Sequence, residues 1–294
     1  MADAPQFRRA VVLGTGLIGG SFALALRKYA PEIHVAGWDR EGVVREARVR
    51  GAIQDAFSGE LAPALAGADL IYLALPIGVT LDLLPGVART AGPGALITDA
   101  CSTKARICNL AAEVFSAKAQ RGAAFLAGHP LAGREVSGLA HADADLFQNC
   151  VYAFIGRERK KNDAIVQAFV DLARRIGARP VWVGAEQHDY AVGLSSHLPQ
   201  LLAVALASFL YDRLDENGLP ITLAGPGLRD TLRLAGSPYS TWRDIVLTNR
   251  EYLATALDLF ARRIDDLRER LATRELEADF DSANELYKLL RDMK

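Results

Sequence analysis

The chain has 294 residues, which at roughly 150 residues per domain is room for about two domains. Half of the residues are apolar and 23% are charged, a composition that excludes an intrinsically disordered chain and a fibrous repeat. Thirty-four Lys and Arg stand against 35 Asp and Glu for a net charge of −1, so the composition does not advertise the basic face that a nucleic-acid partner normally requires, and no such partner is expected.

In chain order, Arg9 to Leu13 (RAVVL) reads as a short β-branched strand that runs into GTGLIGG, followed by a helix over Ser21 to Tyr29. Ala10 to Leu26 is uncharged for 17 residues and superficially resembles a signal or membrane segment. Its four glycines and its length, short of the roughly 20 residues of a spanning helix, favour strand, turn and helix, and no membrane association is expected. A second strand, His34 to Trp38, closes on Asp39 and Arg40 before a charged helix over Glu41 to Arg50. The unit then repeats, with strands at Ala68 to Leu75 and Gly94 to Asp99 and helices at Val79 to Ala91 and Lys104 to Ala119. Strands at Phe125 to Gly128, Val151 to Ile155 and Pro180 to Val183 follow, the last two separated by a helix over Lys161 to Ile176. Apolar strands alternating with helix-length segments predict an α/β fold with a parallel sheet covered on both faces, a Rossmann-type dinucleotide-binding domain.

From Glu186 onward strand-like runs vanish and the pattern is helical: Leu198 to Leu214, Leu228 to Leu234, Trp242 to Thr273 and Glu275 to Lys294. The expected division is therefore 1–185 for the α/β domain and 186–294 for an all-α domain. Leu201 to Tyr211 is apolar almost all round and is expected to be deeply buried, in the core or between subunits. Leu253, Leu257, Phe260, Ile264, Leu267 and Leu271 are spaced 4, 3, 4, 3, 4, a seam that wants a partner helix. A dimer built through the helical half is expected.

Gly14-Thr15-Gly16-Leu17-Ile18-Gly19 matches G-x-G-x-x-G in the context that gives it meaning, between a strand and a helix. The first glycine allows the tight turn, the second lets backbone approach a pyrophosphate, and the third lets helix pack on strand. Asp39, 20 residues past Gly19, is placed to accept hydrogen bonds from a ribose diol, which favours NAD over NADP; a helix cap before Glu41 is its plainer role. Arg40 beside it can stack on adenine. Leu75 and Pro76, at the carboxyl end of their strand, join the cofactor set. Three cysteines, Cys101, Cys108 and Cys150, without CxxC spacing predict neither a disulfide framework nor a thiolate metal site, and fit a reducing cytoplasm. No metal is expected.

Among the five histidines, His34 and His141 lie in polar surroundings, whereas His129 ends an apolar strand where open α/β sheets bind ligands and is a candidate general base. Ser102 follows another strand end, as a substrate-facing hydroxyl or as the cap of the next helix. His197 precedes the apolar helix and is expected at its N-terminus. Arg229 and Arg233 sit amid leucines, either snorkelling or binding a carboxylate.

The ordered set GTGLIGG, WD, DACSTK, GHPLAGRE, SSHLPQ and GLRDTLRLAGS followed by Trp242-Arg243-Asp244-Ile245 resembles the TyrA family of prephenate and arogenate dehydrogenases, from residue 10 to about 250. The resemblance implies an NAD-binding domain followed by a helical dimerisation domain, and within 294 residues no appended chorismate mutase or regulatory module is expected. It implies oxidative decarboxylation of prephenate to 4-hydroxyphenylpyruvate in tyrosine biosynthesis, or of arogenate directly to tyrosine. His129 matches the catalytic histidine and Ser102 the serine that bonds the ring hydroxyl. Arg233 matches the carboxylate-binding arginine, with Glu135 and Asp230 as an acidic gate around it. His197 and Trp242 fall at substrate-binding positions. Gln200 stands where the family motif often continues SHLPH, which removes a cation near the substrate and leaves the choice of substrate open. A β-hydroxyacid dehydrogenase would need a lysine in its helical half, yet none occurs between Lys161 and Lys288. A non-catalytic NAD-binding sensor would have no use for His129, Ser102 and Arg233 together.

Overall fold

The computed structural model describes residues 7–116, 122–133, 136–156, 163–214 and 218–292. The β-branched runs pair side by side as β1 (Arg9–Leu13), β2 (His34–Trp38), β3 (Asp55–Phe57), β4 (Leu70–Leu73), β5 (Leu96–Asp99), β6 (Ala124–Pro130), β7 (Val151–Ile155) and β8 (Arg179–Val183). Helices fill the intervals: α1 (Leu17–Tyr29), α2 (Glu41–Val49), α3 (Leu61–Leu65), α4 (Ile77–Thr90), α5 (Ala105–Val114) and α6 (Ala164–Arg175). The sheet order is β3-β2-β1-β4-β5-β6-β7-β8, so the chain reverses direction across the sheet between β1 and β4, where open α/β sheets present a crevice.

Alternation along each strand feeds two cores. Val12, Val35, Leu70, Tyr72, Leu96 and Leu126 face α1, α2 and α6, and Phe22 of α1 stacks on Tyr72 at 3.9 Å between ring centroids. Val11, Leu13, Ala36, Ile71, Leu73 and Ile97 face α3, α4 and α5. Burial on both faces is why these strands read as continuous apolar runs.

Two features depart from the sequence reading. Strand β3 is a three-residue edge strand whose residues are only half-buried, too short and too polar to register as an apolar run. Strand β7 runs antiparallel to β6, with His129 opposite Ala153. A parallel neighbour needs a covering crossover. The described residues between Pro130 and Val151 supply only a 3₁₀ turn over Leu139–His141, so the chain folds straight back.

Beyond β8 the structure is helical: α7 (Ala185–Val192), a π-turn over Gly193–His197, α8 (Leu198–Tyr211), α9 (Leu219–Thr222), α10 (Pro226–Leu232), a 3₁₀ turn over Arg233–Gly236, and α11 (Tyr239–Thr248). Pro199 lacks the N–H that an unbroken α-helix would donate to Ser195, and Leu198 N–H instead reaches Gly193 O, which widens one turn without breaking the rod. The helix from Ala185 to Tyr211 is thereby 27 residues long and, by length and composition, apolar enough to cross a membrane.

The expected deep burial of α8 is not met within the chain. Only Gln200 and Ala203 are buried there, and Phe209 and Tyr211 are 50% and 77% exposed. The chain divides into two compact units, Met1–Asn249 and Arg250–Lys294. The second comprises α12 (Arg250–Glu269) and α13 (Glu277–Asp292), with Arg263 and Arg270 both paired to Asp279. Asn249 interrupts what reads in sequence as one helix from Trp242 to Thr273. In the heptad series Leu257, Ile264 and Leu271 are exposed, as are Phe280, Tyr287 and Leu290 of α13.

Candidate active site

The glycine turn after β1 is fixed from three sides. Gly14 has φ +92°, and a Cβ there would stand 2.5 Å from Ala74 O; a Cβ on Gly19 would stand 1.8 Å from Gly14 O. Both positions are closed to any side chain by the protein itself. Gly16 has open space around its Cβ position and lines the cleft, the arrangement that lets a pyrophosphate approach backbone. No side chain caps the first turn of α1, which leaves its N–H groups available to an anion.

Asp39 is not the cap of α2; Arg40 holds that position. The Asp39 carboxylate instead accepts from Thr15 N (2.8 Å) and Arg40 N (2.7 Å), so the second strand and the glycine turn are tied together at the place where a ribose would lie. These residues fit a dinucleotide.

A cleft of about 800 Å³ opens beside this turn, within the usual range for small-ligand sites. Gly16, Leu17, Ile18, Arg40, Leu75 and Pro76 form its nucleotide side. Ser102, His129, His197 and Trp242 form the other. Ser102 does not cap α5. That helix begins at Ala105, and the free N–H groups of Lys104 and Ala105 donate to Asp189 Oδ1 and Oδ2 at 2.7 and 2.8 Å. The Ser102 hydroxyl is thus left at the cleft.

His129 stands at the end of β6, held from below. Lys104 and Asp99 are fully buried and paired; Lys104 Nζ also donates to Gly128 O at 2.6 Å, and Gly128 N donates to Asp99 Oδ1 at 3.2 Å. Gly128 lies within β6, where a Cβ would meet the Tyr152 ring at 2.9 Å, so it is a packing glycine. The His129 ring contacts His188 of α7, Nδ1 to Nε2 at 2.9 Å, and His188 Nδ1 contacts Asp189 Oδ1 at 2.8 Å. Burial, followed by the neighbouring His188, Lys104 and His197, holds the His129 pKa well below the ordinary histidine range. The ring is therefore neutral near pH 7, the state a proton acceptor needs.

His197 is buried, meets Trp242 edge-to-face at 5.8 Å, and has its pKa lowered to about 4, by burial first. It does not mark an open helix N-terminus, because the backbone is helical on both sides of it.

Residues 22–182 match the family model described as prephenate dehydrogenase, nucleotide-binding domain, and residues 184–292 match the model described as prephenate dehydrogenase, dimerization domain. The chain belongs to the prephenate dehydrogenase family. Prephenate dehydrogenase of Lactococcus lactis is 35% identical over 92% of this chain and 73% of its own length. Prephenate dehydrogenase from Aquifex aeolicus, solved in complex with hydroxyphenyl propionate and NAD+, superposes with a TM-score of 0.84 at 24% identity, covering 98% of this chain and 99% of that one. Synechocystis arogenate dehydrogenase superposes at 0.73 with 27% identity, over 97% and 96% of the two chains.

Not every residue that the family motifs single out meets at the cleft. Arg233 opens the 3₁₀ turn after α10 and is exposed, as is Asp230, and neither lines the cleft. Gln200 is buried and donates from Nε2 to Leu234 O at 2.9 Å, tying α8 to the turn that carries Arg233. Glu135 lies outside the described residues. Conversely, His188, Asp189 and Asn249 stand behind the cleft and escape motif reading, and Asp99 and Lys104, although they open and close the DACSTK motif, are not legible there as a buried pair. The only signal was the adjacent His-Asp in AEQHDY, on a helix two turns before SSHLPQ.

Proposed function

We propose that this chain is an NAD-dependent prephenate dehydrogenase, which oxidises and decarboxylates prephenate to 4-hydroxyphenylpyruvate in tyrosine biosynthesis. The observation that carries the reading is the neutral, doubly supported His129 beside Ser102 in one cleft with the glycine turn. Bound NAD+ supplies the acceptor for the hydride that leaves the carbinol carbon.

The residues supply position and proton transfer. Ser102 orients the ring hydroxyl and His129 takes its proton through the nitrogen not bonded to His188. The bond to the quaternary carboxylate breaks as CO2 departs, its electron pair completes the aromatic ring, and the phenolate oxygen so formed takes the proton back from His129. Aromatisation drives the step, so the protein has to hold the ring, accept one proton and neutralise carboxylate charge. His197 is assigned to the carboxylate end and Trp242 to the ring; Arg233, which stands outside the cleft, is assigned to a carboxylate on its family motif alone, with Glu135 and Asp230 as its gate on the same ground. Arg233→Ala is expected to raise KM for prephenate by about tenfold or more, the loss of one charged contact, with a smaller change in kcat. An unchanged KM in steady-state kinetics rejects that role.

Arogenate is the alternative substrate, and Gln200, the departure from the SHLPH form of the family motif, is the residue that keeps it open. The nucleotide-binding part is assigned to 1–185 and the helical part to 186–294. Two copies are proposed to associate through the helical part in the cytoplasm. The exposed apolar side chains of α8, α12 and α13 supply surface for that contact, and a match to a dimerization-domain model agrees with it.

A further inference from the structure

Two histidines reach the cleft, and a single residue behind them, Asp189, is linked to both. Its side chain accepts three hydrogen bonds: from Lys104 N and from His188 Nδ1 at Oδ1, and from Ala105 N at Oδ2. Both oxygens face backbone N–H donors, so the carboxylate can only accept from His188. Taken as singly protonated, with that proton on Nδ1, His188 has a lone pair at Nε2. The contact from there to His129 Nδ1 then requires the proton to be on His129 Nδ1. The nitrogen of His129 left for the cleft is Nε2, unprotonated.

On the other side, Asn249 Nδ2 lies 2.9 Å from Asp189 O and 3.0 Å from His197 Nδ1. A backbone carbonyl only accepts, so the amide nitrogen of Asn249 must be the atom at this position, and its second hydrogen goes to His197. His197 Nδ1 is therefore the acceptor, and a neutral His197 carries its proton on Nε2, the opposite tautomer from His129.

We propose that Asp189, His188 and Asn249 are positioning residues that fix the two cleft histidines in opposite neutral tautomers, His129 as the proton acceptor and His197 as a hydrogen-bond donor. The inference deepens the dehydrogenase reading and rests on it for the roles of the two rings. The tautomers themselves do not depend on which substrate binds. The charged and titratable groups that face His129 are His188, Lys104 and His197, and no carboxylate touches it directly among the described residues.

The test is heteronuclear NMR on histidine-labelled enzyme without substrate, near pH 7, with His129 and His197 assigned through His129→Asn and His197→Asn. The expected result is protonated Nδ1 on His129 and protonated Nε2 on His197. The same tautomer on both rings, or protonated Nε2 on His129, overturns the proposal whether or not the enzyme turns prephenate over.

Kinetics supply the second readout. His188→Phe, which gives His129 Nδ1 no acceptor, is expected to lower kcat by about 10- to 100-fold, part of what a general base contributes, with KM for NAD within about twofold. His188→Gln, whose amide oxygen can accept from Nδ1, is expected to recover most of that loss. Equal kcat for the Phe and Gln variants, in folded protein, also overturns it. Failure of wild-type enzyme to reduce NAD with prephenate sinks the proposed function and leaves the tautomer result standing.

Discussion

His129→Asn is expected to lower kcat by about 10² to 10⁴, the usual contribution of a positioned base, while NAD binding measured by fluorescence titration stays within about twofold. The asymmetry follows from the architecture, since the glycine turn and Asp39 are built from β1, α1 and β2 and share no hydrogen bond with His129. Asparagine can still accept a hydrogen bond but cannot take a proton, so binding survives and turnover does not. In the wild type the same residue sets the acid limb of the pH profile. Because burial depresses its pKa, the neutral form persists below the ordinary histidine value of about 6.5, and kcat/KM is expected to remain on its plateau at that pH and to fall only at lower pH. Near-normal kcat in the variant, or an acid limb at or above pH 6.5 in the wild type, contradicts the assignment.

Lys104→Met is expected to destabilise the fold by about 3 to 5 kcal/mol, the usual result of removing one partner of a buried ion pair. Lys104 and Asp99 are both fully buried, and deleting the cation leaves Asp99 without a counter-charge among the described residues, held by the N–H groups of Cys101 and Gly128 and by the Cys101 thiol. Pairing the change with Asp99→Asn removes the uncompensated charge and is expected to restore most of the loss in denaturant unfolding. Activity should not return in parallel. Lys104 also holds Gly128 O, one residue before His129, so the double variant regains stability while the base remains misplaced. A single variant that unfolds within about 1 kcal/mol of the wild type rules this out.

Much of the nucleotide half is legible in sequence because both faces of its sheet are covered. RAVVL, HVAGW and LIYLAL are apolar runs for that reason, and the turn after the first is closed to side chains at Gly14 and Gly19. Polarity and topology are less visible. DAF is too short to show as a strand, and the reversal at β7 goes with the lack of a covering helix among the described residues of 131–150, which apolar periodicity does not report. The apolar stretch Leu201–Tyr211 reads as core, and within this chain it is largely left exposed, which no pattern in the sequence distinguishes from burial.

The site divides in the same way. Residues carried by local motifs, such as Gly16, Ser102, His129 and His197, come together at the cleft. The groups that determine what those residues can do are brought in from far along the chain: Asp189 to the start of α5, Asn249 to His197, Lys104 under Gly128. Single buried hydrogen bonds between distant positions leave no periodic trace. Arg233, legible by motif, stands outside the cleft on a short turn, and Gln200 is spent on a backbone carbonyl in the same turn.

The most direct measurement is the appearance of NADH when the purified chain is given NAD+ with prephenate, with arogenate in a parallel assay and 4-hydroxyphenylpyruvate identified in the product. NADH and 4-hydroxyphenylpyruvate formed in equal amounts, at a kcat/KM for prephenate above that for arogenate, is the predicted result. NADH formation from arogenate alone, or from neither compound, would contradict it.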